Sequence, residues 1–231
     1  MFFNILKRKN IKENNIEIKS NVSYGFNNAL DFARNIIKDE NREEKVELLN
    51  YILNTVKKDL QYSLLTELIY KKPHEPINLS RTIIFPSDVY DENGERVSII
   101  SYEDIEISIL DDTIILVPWK IKSKSNGIKY LSKNDFKFFP CNHMGIYYNG
   151  LDLTYVYNGI HSISSSIVLN KKGKIKIKEV HNINKLYKHM YTDGLYWYST
   201  HTNNKICEVF DFRIAIIYEV SKLKYSIEQE E

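Results

Sequence analysis

Residues 145–162 read Gly-Ile-Tyr-Tyr-Asn-Gly-Leu-Asp-Leu-Thr-Tyr-Val-Tyr-Asn-Gly-Ile-His-Ser. An Asn-Gly pair between two apolar runs is typical of a tight β-hairpin, so Asn149-Gly150 predicts that 145–148 and 153–157 pair as strands. The second strand leads directly into Asn158-Gly159, and small polar residues of the kind that begin helices follow it. This stretch therefore predicts a strand, a turn and a helix in direct succession.

Two helices are predicted on the N-terminal side of this stretch. Ser23 can cap a short helix that ends near Asp39, and Asn41 with Glu44 has the spacing of a capping box. Apolar residues then recur every three or four positions as far as Pro73, as they do along an amphipathic helix. The apolar stripe of this long helix comprises Val46, Leu49, Leu53, Val56, Leu60, Leu64 and Leu68.

Short runs of β type occupy much of the remaining chain. They are predicted at residues 81–85, 97–100, 105–109, 113–117 and 195–199. Strict alternation of lysine and isoleucine over Lys174–Lys178 predicts a further strand with one exposed and one buried face. A short helix is predicted at residues 131–138, and a closing helix from about Lys205 to Tyr225.

These elements predict an α+β fold in which N-terminal helices pack on a mixed, mainly antiparallel sheet and a C-terminal helix closes the fold. The apolar fraction of 43% and the mean hydropathy of −0.38 are typical of a globular chain, which excludes a disordered protein. A length of 231 residues suits a single domain over residues 1–231. We expect a helical part at 1–75 and a mixed-sheet part with the candidate site at 76–231.

The two cysteines and the hydropathy pattern bear on the compartment. Cys141 and Cys207 lie in dissimilar segments without the spacing of a disulfide framework. No run approaches the ~20 apolar residues that a membrane-spanning helix needs. The sequence therefore predicts a cytoplasmic protein without a transmembrane segment.

Charge is segregated along the chain although the net charge is only +2. Residues 118–189 hold thirteen lysines against three acidic residues, whereas residues 87–112 hold nine acidic residues against one arginine. Such segregation can build a basic face for a nucleotide or nucleic acid, or it can let two parts of one domain attract each other. It also suits a protein partner, which leaves a non-enzymatic interaction module as an alternative function.

The turn at residues 158–162 is the candidate site. A strand that ends at Asn158-Gly159 and a helix that begins near Ser162 leave backbone N–H groups pointing out of the turn, which suits a phosphate. Ser162 or Ser164 can cap this helix, and His161 can donate a hydrogen bond or shuttle a proton. His143 precedes the partner strand and is expected to join the site across the hairpin. The predicted ligand-binding residues are therefore Asn158, Gly159, His161, Ser162 and His143.

The segment Val156-Tyr157-Asn158-Gly159-Ile160-His161-Ser162 resembles the ParB/sulfiredoxin-like superfamily. Members of that superfamily carry a strand, a Gly-x-His-Arg or Gly-x-x-Arg turn, and a helix whose N-terminus receives a nucleotide phosphate. In this chain Ser162 occupies the position of the arginine, and Asn158 that of the acidic residue often found before the glycine. The pattern Asn-His…Asn-Gly-x-His-Ser also resembles an uncharacterised bacterial family. The first resemblance implies a bound nucleotide phosphate, and the second implies no activity.

Two enzymatic alternatives use the same residues. His143 and His161, joined by Asp152 or His181, have ligand types that could bind Zn²⁺ or Mn²⁺ and support a phosphodiesterase or nuclease. Ser162 beside His161 could form a nucleophile and base, but the Gly-x-Ser-x-Gly sequence of a nucleophile elbow is absent. Because no recognised metal spacing occurs either, we predict phosphate binding and no metal site, and we assign no catalytic residue or cofactor.

Overall fold

The computed structural model describes residues 20–70, 84–118 and 121–230. Two compact units divide the chain: the first takes in Met1–Leu53, Ile84–Glu95 and Lys188–Glu231, and the second Asn54–Ile83 and Arg96–Tyr187. The predicted α+β class is confirmed, because helices accompany one mixed sheet and one antiparallel sheet. That both units form the single domain expected from the sequence stays a prediction.

Both predicted N-terminal helices are present, although the first begins before its predicted cap. Helix α1 covers residues 20–36, so Ser23 lies inside it and does not cap it, while helix α2 covers Arg42–Tyr70. The predicted capping box is confirmed, since Asn41 Oδ1 accepts the Glu44 N–H at 3.0 Å. Of the predicted stripe, Leu49, Leu53, Leu60 and Leu64 are buried, Val46 and Val56 are half-buried, and the side chain of Leu68 is outside the description.

The first unit contains a three-stranded antiparallel sheet in the order β6-β7-β8. Its strands are β6 (Met190–Thr192), β7 (Tyr196–Ser199) and β8 (Lys205–Glu208), and helix α5 (Phe212–Gln229) follows them. The closing helix begins later than predicted. Cys207 pairs with Trp197 in the sheet, and Asp211 caps the helix by accepting the Arg213 N–H. Trp197 is fully buried against Phe85 and Tyr218, which anchors this small sheet.

The second unit contains the five-stranded mixed sheet, in the order β1-β5-β3-β4-β2. Its strands are β1 (Ile100–Ser108), β2 (Ile114–Ile115), β3 (Met144–Asn149), β4 (Leu153–Asn158) and β5 (Lys174–Asn182). The hairpin predicted at Asn149-Gly150 is confirmed as the antiparallel pair β3 and β4. Helix α3 (Ile121–Leu131) and helix α4 (Ile160–Val168) complete the unit, with a 3-10 turn at Ile183–Leu186. No helix was predicted at Ile121–Leu131, and the one predicted at residues 131–138 is absent, since only turns and irregular structure follow Leu131.

Helix α4 packs on the buried face of the five-stranded sheet. The predicted strand at Lys174–Lys178 is confirmed, with its lysines exposed and Ile175 and Ile177 buried. Ile163 and Ile167 of α4 join these isoleucines in one apolar core, together with Val156 of β4. This packing fixes the N-terminal end of α4 at the end of β4, where the predicted site lies.

The predicted strand at residues 81–85 is not fully within the described part of the chain. In that part, no helix combines the length and the apolar character needed to cross a membrane. Both cysteines are free thiols and exposed.

Candidate functional site

Gly159 is the hinge between strand β4 and helix α4. It adopts the left-handed conformation, with φ of 75° and ψ of 14°, which glycine tolerates far better than other residues. A Cβ atom at this position would lie 2.3 Å from Cδ2 of His143 and 2.8 Å from the carbonyl oxygen of Asn142. The backbone therefore turns sharply here and approaches the segment before β3 more closely than a side chain would allow.

Helix α4 begins at Ile160 with Gly159 as its N-cap, and no side chain caps it. The predicted serine cap is therefore wrong, because both candidate hydroxyls point to carbonyl groups. Ser162 Oγ donates to the Gly159 carbonyl at 2.9 Å, and Ser164 Oγ donates to the His161 carbonyl at 3.2 Å. The first helical bond runs from the Ile163 N–H to the Gly159 carbonyl, so the preceding N–H groups have no carbonyl one turn earlier in the helix.

A pocket of about 440 Å³ opens at this end of α4 and is called the α4 pocket below. Four of the five predicted ligand-binding residues line it: Asn158, Gly159, His161 and Ser162. The others in its wall are Ser123, Gly127, Asn142, Tyr157 and Ile160. None of these nine residues carries a carboxylate, whereas two are serines with hydroxyl groups and two are asparagines with amide groups. The wall is therefore polar and uncharged apart from the titratable imidazole of His161.

His143, the fifth predicted residue, lies behind the pocket wall and is 2% exposed. The β-hairpin brings it there, because Met144 is opposite Asn158 in the register of β3 and β4. The rings of Phe136 and Phe138 lie 5.0 and 5.8 Å from its ring, measured between centroids. Burial among these rings lowers the pKa of His143, which favours the neutral imidazole.

Hydrogen bonds define the protonation of His143. The Phe139 N–H donates to its Nδ1 at 3.0 Å, so Nδ1 carries no proton and the neutral ring carries its proton on Nε2. Nε2 lies 3.0 Å from Ser162 Oγ, to which it donates. Because Nε2 is a donor here, His143 cannot accept the Ser162 proton as a general base in this state. The imidazole instead ties the loop at Phe139 to the first turn of α4.

His161 lines the α4 pocket, but both of its ring nitrogens are shielded from solvent. The imidazole nitrogens of His161 are therefore not exposed to a ligand in the pocket in this structure. The His161 carbonyl accepts the Ser165 hydroxyl at 2.7 Å and lies close to Gly127 of α3, where a Cβ atom would be 3.1 Å from it. Gly127 thus lets α3 approach α4 closely and form one side of the pocket.

Lys124 of α3 reaches the same helix one turn before Gly127. Its Nζ donates to Ser164 Oγ at 2.7 Å, and partial burial lowers the pKa of Lys124 to about 8. Burial alone causes this shift, without a carboxylate that would restore the charged form. Lys124 therefore places an uncompensated amine between the two helices that border the pocket.

Asn158 holds the turn itself. Its Oδ1 accepts the Gly159 N–H at 3.0 Å, and its Nδ2 donates to the Cys141 carbonyl at 3.5 Å. The side-chain amide thus connects the two sides of the hairpin at the mouth of the pocket. A residue of the same shape with an oxygen in place of Nδ2 would keep the first of these bonds.

The other proposed metal ligands have their own partners. Asp152 accepts the Tyr147 hydroxyl at 2.9 Å, and His181 Nε2 lies 2.9 Å from Glu179 Oε1. Neither lines the α4 pocket. Across the part of the chain that the structure describes, no group of three His, Cys, Asp or Glu side chains is arranged to hold a metal ion.

Residues 5–231 match the model of a family described as a family of unknown function, DUF6710. The chain belongs to this family. The DUF6710 match takes in every residue of the α4 pocket. No curated protein and no solved structure matches the chain significantly.

The part of this DUF6710 pocket that α3 supplies, two of its nine lining residues, could not be predicted from the sequence. Ser123 and Gly127 line it, yet they lie more than thirty residues before the Gly159 turn, in a segment without recognisable helix signals. Asn142 was noted only as the neighbour of His143. The common signal in these segments is their lack of acidic side chains, which composition alone does not tie to a site.

Proposed function

We propose that the chain binds a phosphate-bearing ligand, such as a nucleotide, in the α4 pocket. The observation that carries this proposal is a pocket without carboxylates at the N-terminal turn of α4. Backbone N–H groups at such a turn carry a partial positive charge of about half a unit, which attracts anions. The serine hydroxyls and asparagine amides of the wall add donors suited to phosphate oxygens.

The resemblance to the ParB/sulfiredoxin-like superfamily supports the same position for a phosphate. In that motif the arginine after the histidine supplies charge, whereas Ser162 here supplies a hydroxyl. We therefore propose binding through backbone and neutral side chains, with weaker charge recognition than an arginine would give.

Hydrolysis is not part of the proposal. Ser162 Oγ donates to Gly159, and the neighbouring imidazole of His143 faces it with a protonated nitrogen, which does not activate a nucleophile. The described residues likewise offer no three-residue metal group for a phosphodiesterase. The exposed free thiols of Cys141 and Cys207 accord with a reducing cytoplasm as the proposed location.

A thermal-shift screen with inorganic phosphate and nucleoside monophosphates tests the proposal. Binding to the native state raises the melting temperature, by an amount that grows with ligand concentration. The Asn158→Asp variant keeps the acceptor for the Gly159 N–H but places a carboxylate at the pocket mouth, so it should lose the ligand-induced shift. Asn93→Asp, at an exposed turn outside the pocket, makes the same chemical change as a control. Equal shifts in both variants, or none in the unmodified protein, would refute the proposal.

A further inference from the structure

Helix α3 and the turn that follows it carry a positive surface whose own segment contains no carboxylate. Residues 121–134 contain four lysines and no acidic residue. Lys122, Lys129 and Lys133 are exposed and lie seven and four residues apart, so they share one face at 3.6 residues per turn. The bond from the Lys133 N–H to the Tyr130 carbonyl continues the helical course through the turn. The resulting stripe is about 16 Å long.

These lysines differ from those of strand β5. Lys174 forms a salt bridge with Glu106 of β1, and Lys176 lies opposite Glu106 in the strand register. The acidic and basic segments of the sequence thus neutralise each other where the two strands pair. Lys122, Lys129 and Lys133 form no ion pair with any residue in the described ranges. A polyanion would therefore be attracted to the α3 stripe more strongly than to the lysine face of β5.

Two exposed aromatic residues, Tyr130 and Phe139, lie close in the chain to the stripe or to the wall of the α4 pocket. Tyr130 is 53% exposed, and its position on α3 falls between the lysines and the pocket-lining Ser123. Phe139 is 56% exposed, and its carbonyl accepts the N–H of Asn142, another residue of the pocket wall. Exposed aromatic rings beside a basic track are the features by which proteins bind unpaired bases and the phosphates that join them.

We propose that Lys122, Lys129, Tyr130, Lys133 and Phe139, named here the α3 surface, bind single-stranded nucleic acid. This inference rests on the proposed function, because one phosphate of the strand occupies the α4 pocket while the neighbouring phosphates lie along the lysine stripe. The exposed rings of Tyr130 and Phe139 favour unpaired over paired bases, because bases within a duplex already stack on each other. The strand leaves the acidic β1 edge of the sheet uncovered.

Fluorescence anisotropy with a labelled twelve-nucleotide single strand of mixed sequence tests this inference on the full chain. A variant with Lys122, Lys129 and Lys133 each changed to glutamine should bind at least tenfold more weakly at low salt. Its slope of log K against log salt should be smaller by about 2, since each single-strand phosphate contact contributes about 0.7. The matched control changes Lys174, Lys176 and Lys178 to glutamine, which alters net charge equally, and should bind within about twofold of the unmodified protein.

Several outcomes would overturn the inference. Equal losses in both triple variants would mean that binding follows net charge and not the α3 surface. Binding of phosphatidylserine vesicles through these lysines, without binding of the oligonucleotide, would identify the surface as a membrane contact. If nucleoside monophosphate binds but the oligonucleotide does not, only this inference fails. If neither the monophosphate nor inorganic phosphate binds, the proposed function fails and this inference fails with it.

Discussion

Replacing Gly159 with alanine should destabilise the protein much more than the same change at Gly94. Both glycines have a positive φ, 75° and 79°, so alanine suffers a comparable backbone penalty of about 1–2 kcal/mol at either position. The loss of chain entropy in the unfolded state is also shared by the two variants. The difference between them therefore reports what surrounds each Cβ atom.

At Gly94 the new Cβ atom meets nothing within 4 Å, whereas at Gly159 it lies 2.3 Å from the His143 ring and 2.8 Å from the Asn142 carbonyl. The His143 ring is buried and held by two hydrogen bonds, so it cannot rotate away freely. Overpacking of this kind costs about 1–3 kcal/mol. We therefore expect Gly159→Ala to lower the free energy of unfolding by about 1–3 kcal/mol more than Gly94→Ala does.

Urea unfolding followed by far-UV circular dichroism measures both variants under the same conditions. The expected result is a midpoint for Gly159→Ala clearly below that of Gly94→Ala, with similar slopes. If the two midpoints coincide, the close contact between Gly159 and the His143 loop does not exist in solution. The described position of the Gly159 turn against His143 in the wall of the α4 pocket would then be wrong.

Three further predictions address the core and the pKa values of His143 and Lys124. Leu60→Ala should lower the free energy of unfolding by about 2–5 kcal/mol, because Leu60 is fully buried in α2, while the exposed Lys58→Ala changes it by less than about 0.5 kcal/mol in urea titrations. Burial lowers the pKa of His143 from 6.5, so as the pH falls the imidazole is protonated in the unfolded state before it is protonated in the folded state. The free energy of unfolding should therefore be highest above pH 6.5 and should decrease as the pH falls through that value. His143→Gln should weaken this dependence, and an unchanged pH profile would contradict the assignment. In an NMR titration of the lysine side chains, the signal of Lys124 should titrate near pH 8. Titration of Lys124 near the ordinary lysine pKa of about 10.4 would show that its amine is not desolvated.

Local signals explain which parts of the fold could be predicted. The capping box at Asn41 and the Asn149-Gly150 hairpin act within a few residues, so the sequence contains their whole cause. The hairpin register then places His143 beside the Gly159 turn. This is why His143, alone among the distant residues, could be assigned to the site before the structure was known.

The missed elements depend on contacts between distant segments. Helix α3 contains Gly127 and two serines, which are poorer helix formers than alanine or leucine, and it packs against α4 through the small surface of that glycine. Strand β8 was predicted as helix because its apolar residues fit either period, and pairing of Cys207 with Trp197 decides for the strand. The lysines of β5 belong to the basic segment at residues 118–189, but the acidic partner of Lys174, Glu106 of β1, becomes apparent only from the strand pairing.

The central claim is that a phosphate group binds at the first turn of α4, and an NMR titration with inorganic phosphate tests it most directly. The backbone amide signals of Ile160, His161 and Ser162 should shift together and saturably, because these residues line the pocket and their N–H groups precede the first helical bond. The amide of Gly94, at an exposed turn outside the pocket, should not move with them. Saturable shifts elsewhere while these three amides stay unchanged, or no saturable shift at all, would contradict the account.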